Sequence, residues 1–298
     1  MVVSTLIGGL GNQMFQYAAG RALAVRTGSK LVLDLGWLER PPADVTPRSY
    51  ELDCFQIEAE VARIYPRTAV EHVREVLRLS PRVWREQMYQ FAPQTLELSG
   101  SFRLVGYWVS ERYFEEYADQ IRKDFSFRDP PRGANQELAA RIRDTTAVSV
   151  HVRRGDYVEN PTTRAFHGVL PVDYYVAAAA RLRRTVRDPH FYVFSDDPEW
   201  CRSTLDLGGP TTVVDHNRGH GSGDLRLTSL CRHHVIANSS FSWWGAWLNP
   251  SPDKVVIAPR RWIAVESFDT SHVLPPEWIT VYVDRHRMVP TGGPSDED

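Results

Sequence analysis

Hydrophobic positions along the chain recur at two spacings, which predict strands followed by helices from the first residues onward. Residues 2–7 form a short β-branched run, and from Asn12 the apolar positions recur at helical spacing. Residues 30–35 predict a second strand. A strand, a helix and a strand in this order predict a parallel pair joined by a right-handed crossover.

The same alternation returns further along the chain. Residues 102–108 predict a strand and residues 111–123 a helix, whereas the mixed charges of residues 58–90 predict a mostly helical stretch. Later strands are predicted at 147–152, 190–194, 211–214, 235–237 and 255–258, and helices at 172–184, from 198, at 224–231 and at 241–248. Such alternation predicts an α/β fold with mostly parallel sheets, whose ligands bind at the carboxyl ends of the strands.

A proline- and glycine-containing stretch at residues 129–133 predicts a linker between two domains. We expect residues 1–128 and residues 129–287 to form two α/β domains, each large enough to bury its own core. The acidic end of the chain, residues 288–298, predicts a disordered tail.

Composition narrows the classes of function. The chain has 298 residues, and its 35 basic and 37 acidic side chains give a formal charge of -2. This balance predicts no broad cationic surface for nucleic acid or an anionic membrane. The early glycines argue against a signal peptide, and no apolar run reaches the roughly 18 residues that span a bilayer. Three scattered cysteines without CxxC spacing favour a reducing, cytoplasmic setting.

Charge is concentrated directly after the predicted strand at 147–152, where Arg153, Arg154 and Asp156 follow closely. A guanidinium is a planar fork that matches phosphate oxygens, so an arginine at the carboxyl end of a strand suits a pyrophosphate. The arginines could instead form ion pairs with Asp156 or Asp196, and the spacing alone leaves both interpretations open.

A polar turn at residues 238–240 lies between a predicted strand and an aromatic helix. Free N–H groups and the positive end of the helix dipole make such a turn an anion site, although an ordinary serine N-cap has the same sequence. Within the helix, the spacing of Trp243, Trp244 and Trp247 favours core packing.

The acid pair Asp196 and Asp197 precedes a proline. Two adjacent carboxylates could bind a metal, but a proline at the first helical position favours a helix cap. Asp196 could instead orient an arginine. We therefore predict no metal site.

The opening loop half-matches a dinucleotide-binding fingerprint. Gly9 and Gly11 follow the first strand, and Asp34 ends the second, where a ribose-binding acid would lie. Met14 replaces the third glycine, which the close packing of helix and strand requires. An NAD(P)-dependent oxidoreductase remains an alternative.

Four segments together resemble the bacterial α-1,2-fucosyltransferases of glycosyltransferase family 11. They are GGLGNQMFQY at residues 8–17, HVRRGDY at 151–157, FSDD at 194–197 and NSSFSWW at 238–244. The resemblance implies a GT-B architecture, in which two Rossmann-like domains with mostly parallel sheets face a central cleft. It also implies metal-independent, inverting transfer of L-fucose from GDP-β-L-fucose to O2 of a terminal β-galactoside, with the N-terminal domain on the acceptor side and the C-terminal domain binding the donor. GDP-fucose and a β-galactoside glycan are then the expected partners, and no cofactor is expected.

The resemblance further implies roles for single residues. His151 and Asp224 are expected to contact guanine, Arg153 the β-phosphate and Ser240 a phosphate. The carboxylate of Asp224 could accept hydrogen bonds from guanine N1 and N2, although a helix N-cap at Asp224 is an alternative. The full donor-binding set is Gly11, His151, Arg153, Arg154, Asp196, Asp224, Asn238, Ser239 and Ser240.

Four residues are candidates for the chemistry itself. They are Arg153, Asp156, Asn12 and Glu159. Arg153 would stabilise the leaving phosphate, and the other three are alternatives beside the acceptor hydroxyl, with Asn12 expected near the sugar. A GDP- or sugar-binding protein without catalysis is a third class of function.

Overall fold

The computed structural model of the chain describes residues 1–42, 46–64, 81–87, 89–284 and 288. The chain divides into two compact units, one comprising Met1–Pro130 with Phe268–Pro275 and the other Pro131–Ser267 with Pro276–Asp298. Each unit contains one sheet, and every described strand pairing within these sheets is parallel. The predicted α/β fold with mostly parallel sheets is confirmed.

The first unit is built on a five-stranded sheet. Its strands are β1 Val2–Thr5, β2 Leu31–Asp34, β3 Glu60–Ala62, β4 Arg82–Arg85 and β5 Phe102–Val105. Their order is β3-β2-β1-β5-β4. The described α-helices of this unit are Leu10–Arg26, Gly36–Glu39 and Ala118–Asp124, with 3-10 turns at Leu52–Cys54, Pro93–Glu97, Glu111–Tyr113 and Glu115–Tyr117.

The first helix packs tightly on β1 and β2 because Gly20 faces them. A Cβ at Gly20 would lie 2.9 Å from Leu31 Cδ1 and 3.1 Å from Ser4 Cβ. A larger side chain would force the helix away from the sheet.

The predicted helical character of residues 58–90 is wrong where the structure describes them. β3 and β4 are the two edges of the sheet, and their side chains are mostly exposed. An edge strand with few buried positions shows little apolar alternation, so its charged residues resemble a solvated helix. Residues 65–80 lie outside the described residues.

The second unit is built on a six-stranded sheet. Its strands are β6 Thr146–Val152, β7 Pro189–Ser195, β8 Thr211–Val214, β9 His233–Val235, β10 Val256–Pro259 and β11 Ile279–Val281. Their order is β11-β10-β9-β6-β7-β8. The described helices are Ala134–Arg143, Gly155–Glu159, Pro161–His167, Val172–Leu182, Pro198–Thr204, Gly221–Leu230 and Ser240–Leu248.

The strand β6 lies at the centre of the second unit's core. Val148, Val150 and Val152 are fully buried, as expected for a strand covered on both faces. The tryptophans of the helix Ser240–Leu248 are buried as well, which confirms their predicted structural role. Met288 is buried in the same core, whereas the rest of the predicted disordered tail lies outside the described residues.

The strand order of the second unit reverses direction at β6. The chain proceeds from β6 to β7 and β8 on one side, and then returns to β9, β10 and β11 on the other. The connections that follow β6 and β9 therefore run in opposite directions along the sheet, and ligands of open α/β sheets bind in the crevice between two such connections.

Within the described ranges, no helix has the length and apolar character needed to cross a membrane.

Candidate active site

The predicted donor-binding loops of the second unit meet at the switch point between β6 and β9. β6 carries His151 and is followed by Arg153, and β9 is followed by residues 238–240. Because the two strands are parallel neighbours, both loops leave the same edge of the sheet.

Arg153 is held between two carboxylates at this edge. Its Nη2 donates to Asp156 Oδ1 at 2.6 Å, and its Nη1 lies 2.8 Å from Asp196 Oδ2. Burial opposes the charge of Arg153, but Asp196 and Asp156 outweigh it and raise the pKa of the guanidinium. Arg153 is therefore a fixed cation at the carboxyl end of β6.

Arg154 is fixed by a different set of contacts. Its Nε donates to Asp197 Oδ2 at 3.0 Å, and its guanidinium lies 4.1 Å from the centre of the Trp200 ring. Its backbone N–H donates to Asp196 Oδ1 at 2.8 Å. Asp196 thus bonds both arginines at once.

Both arginines therefore form ion pairs, which was one of the two interpretations that the sequence allowed. They do not exclude the phosphate interpretation, because a guanidinium carries five N–H donors and two carboxylate contacts do not exhaust them. Phosphate binding by Arg153 stays a prediction, with Asp156 and Asp196 holding the fork.

The predicted helix cap at the acid pair is confirmed. Asp197 is the N-cap of the helix Pro198–Thr204, and its Oδ1 accepts the Trp200 N–H at 3.2 Å.

Among the described residues, no group of three or more His, Cys, Asp or Glu side chains is arranged to hold a metal ion.

His151 presents a neutral, buried imidazole. It is 6% exposed, and its ring lies 5.1 Å from that of Phe241. Burial, reinforced by the charge of Arg153, lowers the pKa of His151 from 6.5 to about 3. Within the described part of the chain, its Nδ1 has no hydrogen-bond partner. A buried nitrogen of this kind is costly unless a ligand or water bonds it.

Phe241 connects His151 with the helix that carries Asp224. A Cβ at Gly221, the first residue of that helix, would lie 3.5 Å from Phe241 Cε2. The aromatic ring of Phe241 therefore lies close to both His151 and the start of the helix.

Asp224 is not a helix N-cap, contrary to one interpretation of the sequence. The helix begins at Gly221, so Asp224 lies inside its first turn. Asn217 Nδ2 donates to Asp224 Oδ1 at 2.9 Å and also to Asn135 Oδ1 at 2.8 Å. Burial raises the pKa of Asp224 despite the bond from Asn217. Its predicted contact with guanine remains a prediction.

The serine turn is shaped by Asn238. Ser239 occupies the N-cap position of the helix Ser240–Leu248, but its side chain makes no capping hydrogen bond. The simple serine-cap interpretation is therefore wrong. Asn238 is 1% exposed and donates to the carbonyls of His167 and Trp262 at 2.9 and 3.2 Å. In the described structure, Asn238 Oδ1 has no partner.

Two residues of this edge were missed by sequence reasoning. The Tyr157 hydroxyl donates to the Asn238 carbonyl at 3.2 Å, and its ring stacks on His167 at 4.8 Å. Burial is the main reason that the pKa of His167 falls to about 4. Tyr157 was visible in the arginine motif, whereas His167 ends a helix without any motif of its own.

The remaining catalytic candidates lie in different environments. Asp156 bonds Arg153, whereas Glu159 is exposed at the end of the helix Gly155–Glu159. Gly11 and Asn12 belong to the first turn of the helix Leu10–Arg26, in the first unit. The roles predicted for these residues remain predictions.

The glycine loop of the first unit is held by two fully buried glutamines. Gln13 Nε2 donates to the Gly8 carbonyl at 2.9 Å, and Gln16 Oε1 accepts the Ile7 N–H at 2.9 Å. Gly8 has a φ of +79°, a conformation that side chains other than glycine rarely adopt.

Asp34 is unavailable for the ribose contact of a dinucleotide site. It is 1% exposed; its Oδ1 accepts the N–H groups of Gly36 and Ile64 at 2.9 and 2.8 Å, and its Oδ2 pairs with Arg103. The oxidoreductase alternative thereby loses the acid on which it depended.

Known proteins resemble this chain over nearly its whole length. The family described as Glycosyl transferase family 11 matches residues 1–282. An alpha-1,2-colitosyltransferase of Escherichia coli is 35% identical, covering 94% of this chain and 99% of its own. A galactoside alpha-(1,2)-fucosyltransferase 2 of Oryctolagus cuniculus is 28% identical, covering 96% and 78%. A solved structure of NodZ alpha-1,6-fucosyltransferase soaked with GDP-fucose is 16% identical, covers 84% of this chain and 92% of its own, and has a TM-score of 0.45.

The family match and the 35% identity agree with the family predicted from the four sequence motifs. The oxidoreductase interpretation of the glycine loop is accordingly wrong. The chain belongs to glycosyl transferase family 11.

Proposed function

We propose that this protein transfers L-fucose from GDP-β-L-fucose to O2 of a terminal β-galactoside, with inversion to an α-1,2-fucoside. The second unit binds the donor, and the first unit serves the acceptor. No metal ion takes part.

The observation that carries the proposal is the fork of Arg153 between Asp156 and Asp196, beside the turn at residues 238–240. Departure of GDP places negative charge on the β-phosphate. A preorganised guanidinium stabilises that charge without having to reorient, and losing one such contact costs on the order of a hundredfold in rate. The start of the helix Ser240–Leu248 adds N–H groups of the same polarity.

The nucleotide base fits the groups around Phe241. His151 offers a neutral buried nitrogen, and Asp224 offers a carboxylate that accepts hydrogen bonds. Guanine presents donors at N1 and N2, which adenine lacks in this arrangement, so a carboxylate favours GDP over ADP.

A colitosyl donor is the second candidate, because a 35% identical relative bears the name alpha-1,2-colitosyltransferase. Colitose differs from fucose in lacking the hydroxyl at C3. A site that hydrogen-bonds this hydroxyl would reject colitose strongly, whereas a site without such a bond would discriminate little.

The decisive experiment compares GDP-fucose and GDP-colitose with a β-galactoside acceptor, in the purified full-length protein. We expect the higher kcat/KM with GDP-fucose, and an α-1,2 linkage in the product by NMR. A higher kcat/KM with GDP-colitose would replace the donor. Thermal stabilisation by GDP without turnover of either donor would identify a binding protein and reject the proposal.

A further inference from the structure

The Asp224 carboxylate, in the first turn of the helix Gly221–Leu230, accepts one hydrogen bond from the described part of the chain. Asn217 Nδ2 donates to Asp224 Oδ1 at 2.9 Å. Asp224 is half-buried, so part of its surface remains accessible to a ligand. Two carboxylate oxygens provide about four lone-pair sites, and the bond from Asn217 leaves the others for the donors of a ligand.

Asn217 is itself held by a second amide, that of Asn135. Asn217 Nδ2 donates to Asn135 Oδ1 at 2.8 Å, and Asn217 Oδ1 accepts from Asn135 Nδ2 at 2.8 Å. The two side chains thus form a reciprocal amide pair, which joins the loop after β8 to the helix Ala134–Arg143. Asn217 is 8% exposed, and both of its N–H donors are in use, so its side chain cannot rotate without losing a hydrogen bond.

The amide pair lies against the backbone of the helix that carries Asp224. A Cβ at Gly223 would lie 3.1 Å from Asn135 Nδ2 and 3.1 Å from Asn217 Cγ. The residue before Asp224 is therefore small enough for the two amides to approach the first turn. The His220 N–H also donates to the Asn217 carbonyl at 2.8 Å. Asn217 is accordingly fixed through both its backbone and its side chain.

The bond from Asn217 also favours the charged form of Asp224. Burial raises the pKa of Asp224, whereas the hydrogen bond from Asn217 and the charge of His216 act in the opposite direction. An ionised carboxylate only accepts hydrogen bonds, whereas a protonated one presents an O–H donor. Asn217 thus helps to keep two accepting oxygens at this position.

A carboxylate of fixed orientation distinguishes purine bases by their donors. Guanine presents N1–H and the N2 amine side by side, hypoxanthine keeps N1–H but lacks the amine, and adenine has an acceptor at N1. Two adjacent donors meet two carboxylate oxygens only when the carboxylate lies close to the plane of the base. A carboxylate that rotates freely still accepts one bond, but it loses most of the discrimination between guanine and hypoxanthine.

We propose that Asn217 is a positioning residue for base selection, which holds the Asp224 carboxylate in the orientation that accepts both N1–H and the N2 amine of guanine. This inference rests on the proposed function, in which Asp224 binds guanine. Asn217 is buried and acts through Asp224 alone. Nucleoside diphosphates without an amine at C2 are therefore bound weakly, and the loss of Asn217 changes donor binding without changing the chemical step.

The test compares the Kd values of GDP and IDP by calorimetry in the purified full-length protein, because IDP lacks only the N2 amine. The wild type should bind GDP at least about tenfold more tightly than IDP, since a bond to a charged group is lost with IDP. Asn217→Ala should reduce this ratio to about threefold or less. It should also raise KM for GDP-fucose while kcat for transfer stays within about twofold, because the base lies outside the reacting bonds.

The matched control is Asn249→Ala, which removes another buried asparagine of the same unit. Asn249 Nδ2 donates to the carbonyls of Cys231 and Arg232 at 2.9 and 3.2 Å, before β9 and away from the carboxyl ends of the strands. Its loss should lower the Tm but keep the wild-type ratio of the two Kd values. A ratio that falls equally in Asn249→Ala and Asn217→Ala overturns the proposal, because it would follow from lost stability.

A double-mutant cycle separates positioning from a direct contact. Asp224→Ala should abolish the preference for GDP over IDP, and adding Asn217→Ala should change the ratio no further, since Asn217 acts through Asp224. Asn135→Ala should lower the ratio by a smaller factor, and it replaces Asn217→Ala as the test if that variant does not fold.

Three results overturn the proposal: a wild-type ratio in the folded test variant, a further change of the ratio in the double variant, or equal affinity of the wild type for GDP and IDP. The proposed function fails separately. A wild type that binds GDP selectively but releases no GDP from GDP-fucose with a β-galactoside rejects the proposed function and leaves the role of Asn217 intact.

Discussion

Asp196 bonds two successive arginines through its two carboxylate oxygens. Its Oδ2 lies 2.8 Å from Nη1 of Arg153, and its Oδ1 accepts the backbone N–H of Arg154 at 2.8 Å. Asp196 follows β7, and it therefore fixes both the guanidinium of Arg153 and the backbone of Arg154 at the end of β6. The arginine at the proposed phosphate site therefore owes its orientation in part to Asp196.

Asp196→Asn should weaken the orientation of Arg153. The amide keeps an oxygen for the Arg154 N–H but loses the charge that faces Arg153. We expect kcat for transfer to fall by about tenfold to a hundredfold, with the Tm little changed. Asp253→Asn, at an exposed site of the same unit, is the control. Wild-type kcat in Asp196→Asn would show that Arg153 is oriented by other contacts.

Arg153→Lys should be almost as damaging as Arg153→Ala. An ammonium is a point charge and cannot span both carboxylates while binding a phosphate. We expect at least about a hundredfold loss in kcat/KM for the donor. Arg202→Lys provides the comparison, since Arg202 also pairs with two acids, Glu199 and Asp215, but on an exposed helix. Equal kcat/KM values in the two variants would remove Arg153 from the mechanism.

Gly155→Ala should disturb the contacts among Arg153, Asp156 and Asp196, because it adds a methyl group to the neighbouring backbone. A Cβ at Gly155 would lie 2.8 Å from Asp196 Oδ2, so this carboxylate would have to move away from Arg153. We expect a destabilisation of about 1–3 kcal/mol in urea unfolding, together with loss of transfer. Gly221→Ala meets only an ordinary contact at 3.5 Å and should not be destabilised. A Gly155→Ala protein as stable and active as the wild type would contradict this geometry.

A chelator should leave transfer unchanged. Asp156, Asp196 and Asp197 each form an ion pair with an arginine, so their charge is already balanced by guanidinium groups. Rates with GDP-fucose are compared before and after EDTA, and after adding magnesium or manganese. If EDTA abolishes transfer and magnesium or manganese restores it, the prediction is contradicted, and Asp196 and Asp197 bind a metal ion.

The sequence predicted the parts of the fold whose signal is local. β6 and the helix Ser240–Leu248 have long runs of buried apolar residues, and the polar loops next to them were predicted to carry the function of the second unit. The edge strands β3 and β4 were missed because each buries almost nothing. Hydrophobic periodicity reports burial, so an exposed strand leaves little trace in it.

The contacts that build the sites are mostly long-range, which is why sequence reasoning missed them. Gln16 bonds Gly106 across 90 residues, and Asn238 bonds His167 across 71. Burial raises the pKa of a carboxylate, and burial by distant parts of the chain leaves no local pattern in the sequence.

Stability should fall with acid because the second unit buries neutral histidines. Burial, with Arg153, lowers the pKa of His151 from 6.5 to about 3, and burial lowers that of His234 well below 6.5. The native state therefore binds fewer protons than the unfolded chain. The free energy of unfolding keeps its full value above the ordinary pKa of histidine in the unfolded chain, which is about 6.5. Below that pH it falls by about 1.4 kcal/mol per pH unit for each histidine.

Urea unfolding at pH 7.5 and 5.5 measures this change of the free energy of unfolding with pH, called the slope below. His151→Gln should make it shallower, whereas His220→Gln, at an exposed position, should not. Equal slopes in the wild type and His151→Gln would show that His151 is protonated in the folded state.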